Sequence, residues 1–127
     1  MIVVDENIIL EQRIILEKWK IRFRMIGKEF GRVGMQDEEI LPLLHRLRQP
    51  AFFTRDAHFA SPNLCHAGYC LVFLHVGEEE TAVYIRRVLR HKQLNTSAKR
   101  MGAVVQASVE GVRIWRLHAH SAFFGWD

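Results

Sequence analysis

Three acidic residues, Asp5, Asp37 and Asp56, stand where they could share one cation. Asp5 follows the apolar run Ile2–Val4, Asp56 follows the apolar run Ala51–Phe53, and Asp37 opens a helical pattern. Like charges held in one cleft repel each other, and they persist mainly where a cation neutralises them. A small set of hard oxygen ligands with room for water suits Mg²⁺ or Mn²⁺. Such a site could activate water for phosphodiester hydrolysis, with one ion or with two.

The elements that must position these acids alternate along the chain. Apolar or alternating runs typical of strands cover residues 2–4, 21–25, 51–53 and 71–76. Helical patterns cover residues 8–18, 37 to about 47, and 78–92. Two final apolar runs, 103–109 and 112–118, flank Glu110-Gly111 and predict a C-terminal β-hairpin. This order predicts an α/β fold, with a central parallel sheet flanked by helices on both faces.

The fold would bring the acids to one edge of the sheet. Ligands of parallel α/β sheets bind at the carboxyl ends of the strands, where Asp5, Glu6 and Asp56 are expected. Each acid also has a purely structural interpretation. Asp37 could cap its helix and Asp56 could cap the segment Ala57–Ser61, while solvated acids occur at such edges without catalysis.

Composition limits the classes of protein that the chain can belong to. Its 127 residues, 49% of them hydrophobic, fit a single domain over 1–127. Eighteen Lys and Arg against fourteen Asp and Glu give a net charge of +4, which permits a polyanionic partner without establishing one. No apolar stretch reaches the roughly 18 residues of a membrane span. Asp5 and Glu6 stand where a signal peptide would carry cations, so we expect a cytoplasmic protein.

A basic run near the end of the third predicted helix has two interpretations. It contains Arg86, Arg87, Arg90, His91 and Lys92. These cations could form a rim that binds RNA phosphates. They could equally be a solvated helix face, since cations near a helix C-terminus are favoured by the helix dipole.

Two cysteines and a histidine, Cys65, His66 and Cys70, raise the separate hypothesis of a zinc-binding module. Three more histidines could complete such a site: His45, His58 and His75. The spacing is not that of the usual zinc knuckles, and Cys70 begins an apolar run. Core cysteines beside a surface histidine are the favoured interpretation.

Three segments together resemble a known family. The segments VVDEN (residues 3–7), DEEI (37–40) and FFTRDAHF (52–59) resemble the three acidic motifs of PIN-like nuclease domains, the fold of VapC-type toxins. The resemblance covers residues 1 to about 76 and implies a PIN-like three-layer fold. It also implies an endoribonuclease that depends on Mg²⁺ or Mn²⁺ and cleaves RNA. Such proteins are often encoded as toxins beside a small antitoxin, and they commonly form homodimers.

The resemblance also implies roles for individual residues. Asp5, Asp37 and Asp56 would be the metal ligands, and Thr54 would help to position the site. Glu6 would ligate the ion or orient water. Arginines would position the nucleic-acid phosphates: Arg55, Arg86, Arg87 and Arg90.

One position departs from the family pattern. Where the motif usually has a further Asp, this chain has His58, a candidate ligand for Mn²⁺ but a poor one for Mg²⁺. Two functions therefore remain open beside the zinc module. One is a metal-dependent ribonuclease, and the other is a catalytically weakened PIN-like module that binds RNA or a partner protein without cleavage.

Overall fold

Strands and helices alternate through residues 1–126, the part of the chain that the computed structural model describes; Asp127, the last residue of the predicted domain, lies outside it. The strands are β1 (Ile2–Val4), β2 (Arg24–Met25), β3 (Ala51–Thr54), β4 (Cys70–Leu74), β5 (Val104–Ala107), β6 (Val112–Trp115) and β7 (Ala122–Phe124). The α-helices are α1 (Leu10–Lys18), α2 (Asp37–His45), α3 (Thr81–Arg90) and α4 (Ser97–Arg100). Short 3₁₀ helices cover Ala57–Phe59, Pro62–Leu64 and Glu78–Glu80.

Within residues 1–126 the seven strands form one sheet in the order β2-β1-β3-β4-β5-β6-β7. The first five strands in this order are parallel, and β6 and β7 continue the sheet in antiparallel pairing. The prediction of an α/β fold with a mostly parallel sheet is confirmed, as is the β5–β6 hairpin. In this part of the chain, no helix has the length and apolar character needed to cross a membrane.

The helices cover both faces of the sheet, because successive strand residues point to opposite sides. Val4 and Phe53 pack with side chains of α1 and α3 in one core cluster. Val3 and Phe52, their direct neighbours in sequence, pack with side chains of α2 in the other. The result is a three-layer arrangement. Asp5 and Thr54 point to the face that is covered by α2 together with Phe59 of the 3₁₀ helix Ala57–Phe59.

Some element boundaries differ from the sequence prediction. The alternating run 21–25 forms ladder pairs only at Arg24 and Met25, since β2 is the edge strand and has a single neighbour. Helix α1 begins at Leu10 rather than at residue 8. The third helical pattern starts with the 3₁₀ turn Glu78–Glu80 and becomes α-helical only at Thr81.

Helix α2 accommodates Pro42 and ends at His45, two residues before the predicted end. Proline has no N–H to donate to the carbonyl of Glu38, four residues earlier. Glu38 is exposed, so water can hydrate that carbonyl. The apolar residues Ile40, Leu43 and Leu44 remain buried against the sheet, and this packing keeps the helix in place.

Candidate functional site

The register of the two central strands brings Asp5 beside Thr54. Val4 of β1 is paired with Phe53 of β3, so the next residue of each strand meets the other at the carboxyl edge. The hydroxyl of Thr54 donates a hydrogen bond of 2.6 Å to Oδ2 of Asp5. Thr54 is fully buried and Asp5 is only 6% exposed, so this pair forms the floor of the site.

Asp56 is fixed by two hydrogen bonds of its own segment. Its backbone N–H donates to the hydroxyl of Thr54 at 3.0 Å. Its Oδ1 accepts from the backbone N–H of His58 at 2.9 Å, which caps the 3₁₀ helix Ala57–Phe59. The structural interpretation of Asp56 as a cap is therefore correct, and the same carboxylate also faces the site.

The 3₁₀ helix Ala57–Phe59 places the His58 imidazole beside Asp37 and Asp56. Its Nδ1 lies 3.0 Å from Oδ2 of Asp37 and 3.3 Å from Oδ1 of Asp56. Within residues 1–126 these three side chains form the single group of at least three candidate ligands whose donor atoms lie within 4.8 Å of one another. We call Asp37, Asp56 and His58 the ligand cluster. Asp5, the predicted first metal ligand, is outside it.

Asp37 is available to the cluster because other residues cap its helix. It is the first residue of α2, and the N-cap is Gln36, whose backbone N–H donates to Oε1 of Glu39 at 3.2 Å. Glu39 also pairs with Arg32 of the preceding loop. The alternative that Asp37 is merely a cap is therefore wrong, since its carboxylate turns to His58.

Burial and neighbouring charges shift the pKa of two acids upward. Burial raises the pKa of Asp5 above its usual value, more than the Thr54 hydrogen bond lowers it, and the charges of Glu6 and Asp56 add to the rise. The pKa of Asp37 is also raised, first by desolvation and then by the Asp56 carboxylate, against the contact with His58. The site therefore concentrates negative charge that a cation would relieve.

Glu6 does not join the ligand cluster, because it holds the glycine-rich loop 27–34. Both of its carboxylate oxygens lie near the backbone N–H of Gly34, at 2.9 and 3.2 Å. A Cβ added to Gly27 would lie 3.2 Å from Oε2 of Glu6, and the φ of +86° there favours glycine. Closely spaced glycines are typical of turns, but nothing in the sequence indicates that this loop folds back onto Glu6.

The predicted phosphate-binding arginines are placed apart from one another. Arg55 lies next to the site but turns to the exit of β4, where Nε donates to the Val76 carbonyl at 3.3 Å and Nη1 lies 4.0 Å from Glu78. Arg86, Arg87 and Arg90 lie in the later part of α3. That helix starts after the carboxyl end of β4 and leads back to the opposite sheet edge, so the structure does not bring them to the ligand cluster.

Aromatic rings hold two of the α3 arginines. The Arg86 guanidinium lies 3.6 Å from the centre of the Trp19 ring, and the Arg87 guanidinium lies 4.6 Å from that of Trp126. The indole N–H of Trp126 donates to the Ser108 carbonyl at 2.8 Å. These contacts agree with the interpretation of the basic run as a solvated helix face, whose arginines pack on neighbouring aromatic rings.

The cysteines lie in the core. Cys65 and Cys70 are both buried and free, and burial raises the pKa of the Cys70 thiol to about 12. Zinc binds the thiolate, which this environment disfavours. The rings of His45 and His66 contact each other edge to face at the surface, with centroids 4.3 Å apart. Together these facts favour core cysteines over a zinc site.

Comparison with known proteins adds no relative to this picture. The chain matches no protein-family model, no curated protein and no solved structure.

Proposed function

We propose that the chain is a metal-dependent endoribonuclease of the PIN-like type. The observation that carries the proposal is the ligand cluster itself, in which Asp37, Asp56 and His58 present donor atoms within 4.8 Å of one another. The Asp5–Thr54 hydrogen bond supports it, because a buried carboxylate directly below the cluster adds to the negative charge. The resemblance of the three acidic segments supplies the reaction class.

The donor set fits a divalent transition metal better than Mg²⁺. Two carboxylates and one imidazole offer two hard oxygens and a borderline nitrogen, a combination that suits Mn²⁺. The side chains of Asp37, Asp56 and His58 are 40, 32 and 83% exposed, which leaves room for water and for a phosphate. Residues Asp37, Asp56 and His58 would hold the ion.

Each residue of the chain has a distinct task in this proposal. A bound divalent ion would supply an activated water and neutralise charge on the scissile phosphate. Asp37 and Asp56 would hold that ion from two different segments. Thr54 fixes the distance between the acids, since its hydroxyl donates to Asp5 and accepts from the backbone of Asp56. Asp5, which Thr54 links to Asp56, would accept a proton from the attacking water or orient it.

A second function is favoured by one contact. The His58 imidazole stands between Asp37 and Asp56, with Nδ1 at 3.0 and 3.3 Å from a carboxylate oxygen of each, so it links the two acids without an ion. A chain stabilised in this way would have no need of an ion and could bind RNA or a partner protein without cleaving it. This is the weakened PIN-like module, and it competes directly with metal binding.

Cleavage of single-stranded RNA in Mn²⁺, in Mg²⁺ and in EDTA separates the two functions. We expect cleavage by the wild type in Mn²⁺ and its loss in Asp5→Asn, Asp37→Asn and Asp56→Asn. Glu38→Gln is the matched control, because Glu38 is an exposed acid in the same helical turn as Asp37 and lies outside the cluster. Activity that is equal in all variants, or absent with both metals, would refute the nuclease.

The narrower form of the proposal is that the chain is the toxin of a toxin–antitoxin pair, with a small antitoxin as partner. Inducible expression in a bacterium tests it. We expect growth arrest with the wild type and normal growth with Asp56→Asn at equal protein level. Growth arrest by both proteins would show that any toxicity does not come from this site.

A further inference from the structure

A basic cleft runs along the exposed edge of the sheet, on the opposite side of β1 from β3. It lies between α1 and residues 20–29, with a volume of about 510 Å³. Five cationic side chains line it: Arg13, Lys20, Arg22, Arg24 and Lys28. Two acids, Glu17 and Glu29, also line it, so the charge of the cleft is strongly positive.

In the described part of the chain, the cations of the cleft form no ion pairs. Ion pairs within residues 1–126 involve Arg32, Arg55 and His58, and none of the five cleft cations has a carboxylate oxygen within 4.0 Å. Glu29 is occupied elsewhere, since its Oε2 accepts from the backbone N–H of Met25 at 2.9 Å. Unpaired cations that converge on a concave surface create a favourable potential for an anion.

Two of the cations are positioned by the backbone. The guanidinium of Arg13 is half-buried, with Nε donating to the Ile8 carbonyl at 3.1 Å. Lys20 has a φ of 60°, directly after α1, where the backbone N–H groups of Lys20 and Ile21 close the helix end. Glycine is the residue that best fits such a position. The backbone conformation of Lys20 therefore costs free energy, and it fixes where this cation leaves the chain.

The edge of β2 is closed to strand addition by a protein. Directly after β2, the Ile26 N–H donates to the Val4 carbonyl on the inner side, while in β2 the N–H of Met25 faces outward. That outward donor is taken by the Glu29 carboxylate. A peptide strand adds through free backbone groups. The cleft therefore offers side-chain cations rather than a backbone ladder, which favours a chain of phosphates over an acidic protein segment.

The cleft reaches the carboxyl edge of the sheet next to the candidate site. Met25, which lines the cleft, is paired with Val4, which precedes Asp5. A Cβ built on Gly27, two residues after Met25, would lie only 3.2 Å from Oε2 of Glu6. We propose that the basic cleft binds the phosphate backbone of single-stranded RNA whose scissile bond lies at the ligand cluster. The choice of RNA rests on the proposed function, whereas the binding of a polyanion by the cleft rests on its own charges.

Binding of a short fluorescein-labelled oligoribonucleotide, measured by anisotropy in EDTA, tests the cleft without cleavage. The test variant is Arg22→Gln/Arg24→Gln, and the control is Arg46→Gln/Arg48→Gln, which removes the same charge from exposed positions after α2. We expect the test variant to raise Kd about tenfold and to lower the slope of log K against log salt by about 1.4, the value for two phosphate contacts on a single strand. The control should stay within about twofold of the wild type.

Lys20→Gly separates binding from folding. Because glycine suits the φ of 60°, this variant should unfold at the same or higher urea concentration than the wild type. Its Kd for the same oligonucleotide should nevertheless rise about threefold, as expected for the loss of one phosphate contact. Unchanged binding in Lys20→Gly and in the Arg22/Arg24 variant would overturn the proposal.

Two further outcomes are decisive. Equal weakening in the test and control variants would mean that only net charge matters, and the cleft would be refuted as a site. Poly-glutamate that displaces the oligonucleotide at equal phosphate and carboxylate concentration would show an acidic protein partner instead of RNA, which also overturns it. If RNA binding maps to the cleft but no metal supports cleavage, the nuclease fails and the cleft stands. If the wild type cleaves RNA while the Arg22/Arg24 variant keeps the Kd and KM of the wild type, the nuclease stands and the cleft fails.

Discussion

The Thr54 hydroxyl joins the ends of two neighbouring parallel strands by donating to the Asp5 carboxylate at 2.6 Å. The same oxygen accepts from the backbone N–H of Asp56 at 3.0 Å. One buried hydroxyl thus fixes the position of both acids, and its loss would affect fold and site together.

Thr54→Val should destabilise the fold by about 2 kcal/mol, because a side chain of the same shape would leave the Asp5 carboxylate and the Asp56 N–H without their shared partner. Urea unfolding measures this free energy. Thr54→Ser keeps the hydroxyl and is the matched control, so it should lose less than half as much stability. Equal losses in the two variants would show that the methyl group matters and the hydrogen bond does not.

Asp5→Asn should stabilise the metal-free fold at neutral pH by about 1 kcal/mol, since buried site residues commonly exchange stability for function. Burial raises the pKa of Asp5 in the folded state above its ordinary value of 3.8. The folded state therefore favours the protonated form of Asp5. The stabilisation that this form gives is fully present below about pH 3.8 and is lost as the pH rises through the folded-state pKa. Urea unfolding in EDTA across pH should show the gain of Asp5→Asn shrinking on acidification. A gain independent of pH would contradict this cause.

In the proposed nuclease, His58→Asp should shift the metal preference of RNA cleavage from Mn²⁺ toward Mg²⁺. The substitution replaces the borderline nitrogen of the ligand cluster with a hard oxygen, and we expect the ratio of Mg²⁺ to Mn²⁺ activity to rise about tenfold. Initial rates with each metal give the ratio. His66→Asp adds the same charge at another exposed histidine and should leave the ratio unchanged. A ratio that moves equally in both variants would locate the effect outside the cluster.

Gly111→Ala should destabilise the protein by about 3 kcal/mol, because the added Cβ would clash with backbone atoms, which would have to move. A Cβ there would lie 2.2 Å from the carbonyl oxygen of Phe124, the last residue of β7. Gly102→Ala is the matched control: its φ of +89° is also positive, but no atom lies within 4 Å of an added Cβ. We expect the control to lose only about 1 kcal/mol in urea unfolding. Similar losses in both would mean that backbone conformation, and not the approach of Phe124, sets the cost.

The sequence predicts most of the sheet because the buried strands consist of continuous apolar runs. The runs at β3 and β4 are continuously apolar, as expected for strands covered on both faces. The sequence does not predict β7, whose residues Ala122–Phe124 follow a polar stretch. That strand forms because β6 has a free edge, and the tail is then fixed by the Trp126 indole and by the Gly125 carbonyl, which lies 2.9 Å from Nε2 of His91.

The site is predictable as a set of segments and not as a geometry. The position of acids after β1 and β3 follows from the strand pattern, and their meeting at one edge follows from parallel pairing. The pairing of individual side chains inside the site does not follow from the sequence. His58 reaches Asp37 because of a 3₁₀ turn, and Glu6 leaves for Gly34 because of a loop conformation that has no signature in the sequence.

The strand order also has a consequence for how the site arises during synthesis. Every segment that supplies a site residue precedes residue 59, and from β3 outward the sheet grows in one direction through β4 to β7. A chain emerging from the ribosome thus contains all the site's side chains before the strands that bury Phe52 and Phe53 exist. The side chains are made first, but their rigid arrangement must await β4 and the helices. The metal affinity that we propose for the ligand cluster should therefore appear only late in folding.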